Sequence, residues 1–98
     1  MNIEKIKDDK RLTVKIKGRL DTKTAPELNE SLQNDLTGID ELILDLSELN
    51  YISSAGLRVI LATQKIMNTQ GTMTVCNVQE IVMEVFEATG FRDILTIK

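Results

Sequence analysis

The chain has no histidine and only one cysteine, Cys76, among its 98 residues. Histidine is the usual general base near neutral pH and the commonest metal ligand. Zinc sites are built mainly from histidine and cysteine, so we expect neither a metal nor another cofactor. A single cysteine cannot close an internal disulfide, which agrees with a reducing compartment.

Sequence motifs of common catalytic folds are missing as well. No glycine-rich phosphate loop ends in Lys-Ser or Lys-Thr, and no dinucleotide-binding fingerprint occurs. Two aspartates could form a catalytic pair, but no third group indicates what they would act on. A small enzyme or nucleotide hydrolase would need a catalytic base that the sequence does not show, so we predict that the protein is not an enzyme.

Long apolar runs and clustered positive charge are also absent. No stretch is apolar over the length of a bilayer span, and the N-terminus has no basic-then-apolar leader, so we expect a cytoplasmic protein without direct membrane insertion. A net charge of −3, with Lys and Arg spread along the chain, argues against nucleic acid as a partner. The 42% apolar and 28% charged residues are typical of a folded chain, and the length predicts a single domain over residues 1–98.

The apolar residues that are present recur at two different spacings, one typical of strands and one typical of helices. "RLTVKIK" alternates apolar and polar side chains, which predicts a half-buried strand ending at Gly18. The weaker segment "NIEKIK" precedes it across the turn "DDK", so a hairpin is expected. Leucines then recur every four residues in "PELNESLQNDL" and predict a helix, with Thr24 as its N-cap and Glu27 as the capping-box partner.

The second half of the chain repeats strand and helix patterns. "ELILDLS" predicts a short central strand, apolar on both faces and covered by helices. A loop follows, then a helix from about Ser54 to Gln70, the strand "TMTVCN", a third helix capped by Asn77 and ended by Gly90, and a final strand "DILTIK". The predicted order is ββαβαβαβ, an α/β fold with parallel neighbours and one antiparallel strand from the hairpin.

A cluster of small residues separates the central strand from the second helix. Ser53, Ser54, Ala55 and Gly56 interrupt an otherwise apolar run. We predict Ser54 as the N-cap, exposed where functional sites of open α/β sheets gather. Glycine in a first helical turn costs up to ~1 kcal/mol relative to alanine, which suggests that a partner approaches closely. The alternative is structural: a capping serine and a glycine that relieves packing against the sheet.

The same stretch, "LDLSELNYISSAGLRVIL", is similar to the signature of the STAS domain, the fold of bacterial anti-sigma factor antagonists. "GRLDTKTAPEL" resembles the family's "GELD" turn before its first helix, and "ATGFRDIL" resembles its third helix and last strand. The resemblance covers nearly the whole chain. It implies a STAS-like mixed sheet with helices packed on it.

The resemblance also implies regulation by partner switching. In this family the unphosphorylated domain binds an anti-sigma factor with serine kinase activity, which frees the sigma factor. Phosphorylation at the start of the second helix reverses this, and a serine phosphatase resets the domain. On this chain the implied acceptor is Ser54, with Ser53 less favoured. The expected partner-binding residues are Asp21, which matches the aspartate of the "GELD" turn, Ile52, Ser53, Ser54, Ala55, Gly56, Leu57 and Arg58.

Two differences from the family pattern bear on phosphorylation. Ser53 stands where the family commonly has an aspartate before the acceptor, and Ala55 stands where a serine or threonine often follows it. Loss of the carboxylate removes a group that could orient the acceptor hydroxyl. An alternative therefore stays open, in which the domain is an accessory subunit of a membrane lipid transporter and is not phosphorylated.

Overall fold

The computed structural model describes residues 1–98 as a four-stranded mixed sheet with packed helices. The elements in chain order are β1 (Asn2–Asp8), β2 (Arg11–Leu20), α1 (Ala25–Asp35), β3 (Glu41–Ile52), α2 (Ser54–Asn68), β4 (Thr72–Cys76), α3 (Glu80–Thr89) and α4 (Phe91–Ile94). The strand order is β1-β2-β3-β4, with an antiparallel β1–β2 hairpin and parallel β2, β3 and β4. The predicted α/β fold is confirmed. None of its helices combines the length and the apolar character needed to cross a membrane.

The sheet has one covered face and one open face. Val14, Leu44 and Val75 occupy paired positions on β2, β3 and β4, and all three are fully buried. Successive strand residues point to opposite faces, so Lys15 and Asp45 lie on the open face, where they are half-buried. Residues of α1, α2 and α3 join the same apolar core as the strands. Helices therefore cover β3 on one face only, whereas its apolar sequence predicts cover on both faces.

β3 is longer than its sequence pattern predicts, and it replaces the predicted loop "ELNYIS". Gly18 pairs with Leu49, but the next residue of β2, Arg19, pairs with Tyr51. Asn50 is therefore an extra residue on β3, a β-bulge that breaks the two-residue alternation from which strands are recognised. Gly18 does not end β2; its φ of +97° lets the chain continue through the irregular pairing.

Two predicted helix caps differ in the structure. Thr24 is the N-cap residue of α1 by position, as predicted, but its hydroxyl donates to the Arg19 carbonyl at 2.8 Å and makes no capping bond to the helix. The predicted capping box with Glu27 is therefore wrong. α3 is preceded by Gln79 and not by Asn77, which takes a left-handed conformation with φ +57° directly after β4. Asparagine tolerates this conformation better than most residues, so it serves the turn instead.

The chain after α3 forms a short helix where a strand was predicted. Gly90 ends α3 in the left-handed conformation as predicted, and the ring of Phe91 lies 6.5 Å from that of Phe86. This contact belongs to α4, which occupies the first part of the predicted final strand. Only the Val75–Ile97 bridge remains of the strand pairing, on the free edge of β4.

Gly56 sets how closely α2 approaches the strands beneath it. A Cβ atom at this position would lie 2.7 Å from Cγ of Leu20 and 2.9 Å from Cγ1 of Ile52. Both side chains are buried, so neither can move aside freely. This close contact agrees with the structural interpretation of Gly56, in which glycine relieves packing against the sheet.

We predict that Gly56→Ala destabilises the fold. Alanine gains up to ~1 kcal/mol in helix propensity, but overpacking a core contact costs about 1–3 kcal/mol, so the variant should lose up to about 2 kcal/mol of stability when the full propensity gain is counted. Thermal and urea unfolding would measure it. The matched control is Ala62→Gly, an exposed site in the same helix, where propensity alone should act. A more stable Gly56→Ala variant would contradict the close contact.

Candidate functional site

The carboxyl ends of β2 and β3 meet at one edge of the sheet. Leu20 and Ile52 are paired there, and the backbone N–H of Ser53 donates to the Leu20 carbonyl at 2.9 Å. The turn that contains Asp21 and the first turn of α2 therefore begin side by side. The structure thus brings the "GRLD" segment and the small-residue cluster to the same end of the molecule.

The two serines of the cluster have different environments. Ser53 has extended backbone angles and is the N-cap of α2; its Oγ accepts a long hydrogen bond of 3.5 Å from the Gly56 N–H. Ser54 is the first helical residue, it is exposed, and its hydroxyl has no hydrogen-bond partner in the structure. The prediction of Ser54 as N-cap is therefore wrong by one residue. Either serine can cap a helix, and β3 reaches Ile52, which leaves Ser53 at the junction.

The eight predicted partner-binding residues differ in exposure. Ser54 and Arg58 are exposed. Three others are half-buried: Asp21, Ser53 and Ala55. The remaining three lie beneath the surface: Ile52, Gly56 and Leu57. The buried three fix the position of α2, whereas the exposed and half-buried residues are available for contact.

Arg58 lies four residues after Ser54, on the same side of α2. The other three arginines of the chain each pair with a carboxylate, whereas Arg58 has no ion pair and no hydrogen bond. Side chains of a helix lean toward its N-terminus. The Arg58 guanidinium is therefore the cation within α2 best placed to meet negative charge on Ser54.

Asp21 organises the turn after β2. Its Oδ1 accepts from the backbone N–H groups of Thr24 at 3.1 Å and Lys23 at 3.0 Å. Its Oδ2 lies 3.8 Å from Nε of Arg19. The Thr24 amide, helped by the Lys23 amide, holds the pKa of the Asp21 carboxyl below its ordinary value. Asp21 is therefore ionised at neutral pH, and one of its oxygens has no backbone hydrogen bond.

Sequence reasoning missed Arg19 and Tyr51 as members of this site. The Arg19 guanidinium carbon lies 4.1 Å from the centre of the Tyr51 ring, and both residues are exposed. Tyr51 is the single tyrosine in a chain with three aromatic residues, and its place shortly before the small-residue cluster could have signalled it. The pairing itself depends on the β-bulge, which the sequence pattern does not reveal.

The site is an open surface. The structure's three surface cavities lie away from it; the largest, about 360 Å³, is lined by Lys10, Gly38, Ile39, Asp40 and Gln70 near the amino ends of β2 and β3. At the carboxyl ends, exposed polar and charged side chains surround the start of α2. This shape suits contact with another protein surface.

Sequence comparison assigns the chain to a family. The sequence model of the STAS domain matches residues 1–98. The chain belongs to the STAS domain family. This STAS domain is 35% identical over 99 aligned positions to BtrV of Bordetella bronchiseptica, provisionally named an anti-sigma factor antagonist, with 99% of this chain and 85% of BtrV covered. It is 32% identical over 101 positions to the anti-sigma-B factor antagonist of Staphylococcus aureus, with 99% and 92% covered.

Solved structures share the fold of this STAS domain. The anti-sigma factor antagonist from Mycobacterium paratuberculosis aligns with a TM-score of 0.89 at 21% identity, covering 98% of this chain and 83% of the other. The Bacillus protein SpoIIAA in its phosphorylated form aligns with a TM-score of 0.77 at 13% identity, covering 99% and 91%. At these identities the likeness establishes the fold.

We predict that Asp21→Asn melts close to the wild-type STAS domain, because an amide oxygen can still accept from the Lys23 and Thr24 amides. Asp21→Ala removes this acceptor and should melt several degrees lower.

The lowered pKa of Asp21 means that its stabilising contribution is present above the ordinary aspartate pKa and is lost as pH falls through the folded-state pKa. Thermal melts from pH 7 to pH 2 should show the difference between wild type and Asp21→Ala shrinking; a difference that grows toward low pH would contradict this account.

Proposed function

We propose that this STAS domain is an anti-sigma factor antagonist that acts by partner switching. Unphosphorylated, it binds an anti-sigma factor with serine kinase activity and thereby frees the sigma factor. Phosphorylation of Ser54 releases the anti-sigma factor, and a serine phosphatase restores the binding form. The names of the relatives, which align with 99% of this chain, support the antagonist role. The cycle would take place in the cytoplasm, where sigma factors act.

The observation that carries the choice of Ser54 is its free, exposed hydroxyl at the start of α2. A kinase must reach the acceptor oxygen and remove its proton. Ser53 is half-buried, its Oγ receives the Gly56 N–H, and its own N–H is bonded to Leu20. Modifying Ser53 would disturb the helix cap, whereas modifying Ser54 adds a group to open surface.

The proposed switch is electrostatic. A phosphoserine carries about −1.5 to −2 charges at pH 7. At a helix N-terminus negative charge is favourable by roughly 0.3–1 kcal/mol, and Arg58 one turn later can pair with the phosphate. The fold should therefore survive modification, in keeping with the solved phosphorylated form of SpoIIAA. Within a protein contact the same dianion must be desolvated, and each ~1.4 kcal/mol lowers affinity tenfold.

The transporter-subunit alternative is based on Ser53, which stands in place of the family's usual aspartate. In the structure Ser53 still caps α2, as an aspartate would. The substitution therefore changes the local charge and leaves the local fold intact. Asp21 supplies a carboxylate at the same end of the sheet, and we expect it to assist phosphorylation or partner contact.

We predict that phosphorylation occurs on Ser54. Incubation with ATP and each purified kinase-type anti-sigma factor of the source organism, followed by phosphopeptide mapping, would locate the phosphate. Ser54→Ala should abolish incorporation, whereas Ser53→Ala should keep it, because helix capping is not needed for the chemistry. Incorporation confined to Ser53 would show that the family alignment is displaced by one residue. Incorporation without any kinase would favour an enzymatic activity of the chain itself.

We further predict that Ser54→Asp keeps the fold but binds the anti-sigma factor about tenfold more weakly, a loss of ~1.4 kcal/mol. One carboxylate only partly reproduces a dianion, so the loss should be smaller than that caused by phosphate. Calorimetric titration would measure the affinity. Ser54→Asn is the matched control, since it has nearly the same size without the charge. Equal affinities for the Asp and Asn variants would contradict an electrostatic switch.

A further inference from the structure

Arg19 and Tyr51 form a stacked pair on the open face of the sheet. The guanidinium carbon is 4.1 Å from the ring centre, within the range of a cation–π interaction. The following pair, Leu20 and Ile52, is buried, and alternation along the strands turns Arg19 and Tyr51 to the opposite side. The Arg19 side chain is 61% exposed and the Tyr51 residue 38% exposed. The pair is therefore a surface feature.

The β-bulge is what brings the two side chains together. If the regular pairing continued beyond Gly18 and Leu49, Asn50 would lie opposite Arg19. The bulge advances β3 by one residue and sets Tyr51 there instead. Bulges are known to redirect side chains beside functional sites.

Arg19 is also held by the turn that follows it. Its carbonyl accepts from the Thr24 hydroxyl at 2.8 Å, and its Nε lies 3.8 Å from Oδ2 of Asp21. No hydrogen bond occupies the guanidinium N–H groups in the structure. An arginine that rests on an aromatic ring, with free donors, loses little conformational freedom when it binds.

We propose that the Arg19–Tyr51 pair is part of the surface that binds the anti-sigma factor, with the guanidinium contacting a carboxylate of that partner and the ring covered by it. The inference rests on the function proposed above. Arginine and tyrosine are enriched among the residues that dominate binding energy in protein interfaces. A planar guanidinium fork matches a carboxylate in geometry and charge.

The pair is continuous with the phosphoacceptor surface. One residue beyond Arg19 and Tyr51, the buried pair Leu20–Ile52 ends both strands, and Asp21 and Ser53 follow. A partner seated over Ser54 therefore reaches Arg19 along the same end of the sheet. The contact surface extends from α2 around the strand ends onto the open face.

The test is the affinity of the purified kinase-type anti-sigma factors of the source organism for four variants. Arg19→Ala and Tyr51→Ala should each weaken binding at least tenfold, and the double variant should lose less than the product of the two single losses, because the side chains act together. Tyr51→Phe keeps the ring and should bind within twofold of wild type. Arg19→Ala should also make the association rate less sensitive to salt, which a purely structural role would not do.

Arg11→Ala is the matched control. Arg11 is an exposed arginine of the same strand, at the other end, and pairs with Glu41 at 3.0 Å; its replacement should leave affinity within twofold. If Arg19→Ala and Tyr51→Ala bind like wild type while Ser54→Asp binds weakly, this inference is wrong and the proposed function stands. If no kinase-type anti-sigma factor binds the wild type, both are wrong.

Discussion

Leu20 and Ile52 leave no room for a side chain on the first turn of α2, and this contact determines the geometry of the functional end. Both residues are the last of their strands, both are buried, and Gly56 lies against them. The helix can approach closely only because position 56 lacks a Cβ atom. Ser53, Ser54 and Arg58 take their places relative to Asp21 from that approach. A substitution that alters this buried contact would therefore move the surface residues of the first turns of α2.

The two faces of the sheet differ in composition and in how much they contribute to stability. The covered face carries the apolar side chains on which stability depends, since hydrophobic burial is the main favourable term in folding. The open face carries charged side chains, including the ion pairs Lys15–Glu48 and Lys17–Glu4. Exposed pairs of this kind contribute little to stability. The open face can therefore vary in sequence at small cost to the fold.

Periodicity predicted the regular parts of this structure and failed where the backbone is irregular. The leucine repeat of α1 and the alternation of β2 were read correctly, because Leu28 and Leu32 are buried at helical spacing and Val14 at strand spacing. The predicted strand "ELILDLS" ended too early because the β-bulge at Asn50 interrupts the alternation of β3. The helix α4 was missed, and a final strand was predicted in its place, because an apolar segment of a few residues fits a strand and a helical turn equally well.

The site was predictable to different degrees. Spacing alone gave a cluster of small residues with a structural and a functional interpretation, and only the family resemblance singled out Ser54. The choice between Ser53 and Ser54 as cap was wrong because two adjacent residues of the same type have the same capping preference. The stacking of Arg19 on Tyr51 depends on a one-residue shift in pairing, which no local pattern encodes.

Ser53 caps α2 while the neighbouring Ser54 keeps its hydroxyl free. Since two residues divide these tasks, mutation and selection can act on each of them independently. Under the proposed function, a lineage can exchange residue 54 and lose or retune a regulatory input without a marginally stable domain falling below its folding threshold. Changes at residue 53 are constrained by helix stability instead. The adjacent serines thus separate a position that can be replaced freely from one that the helix cap requires.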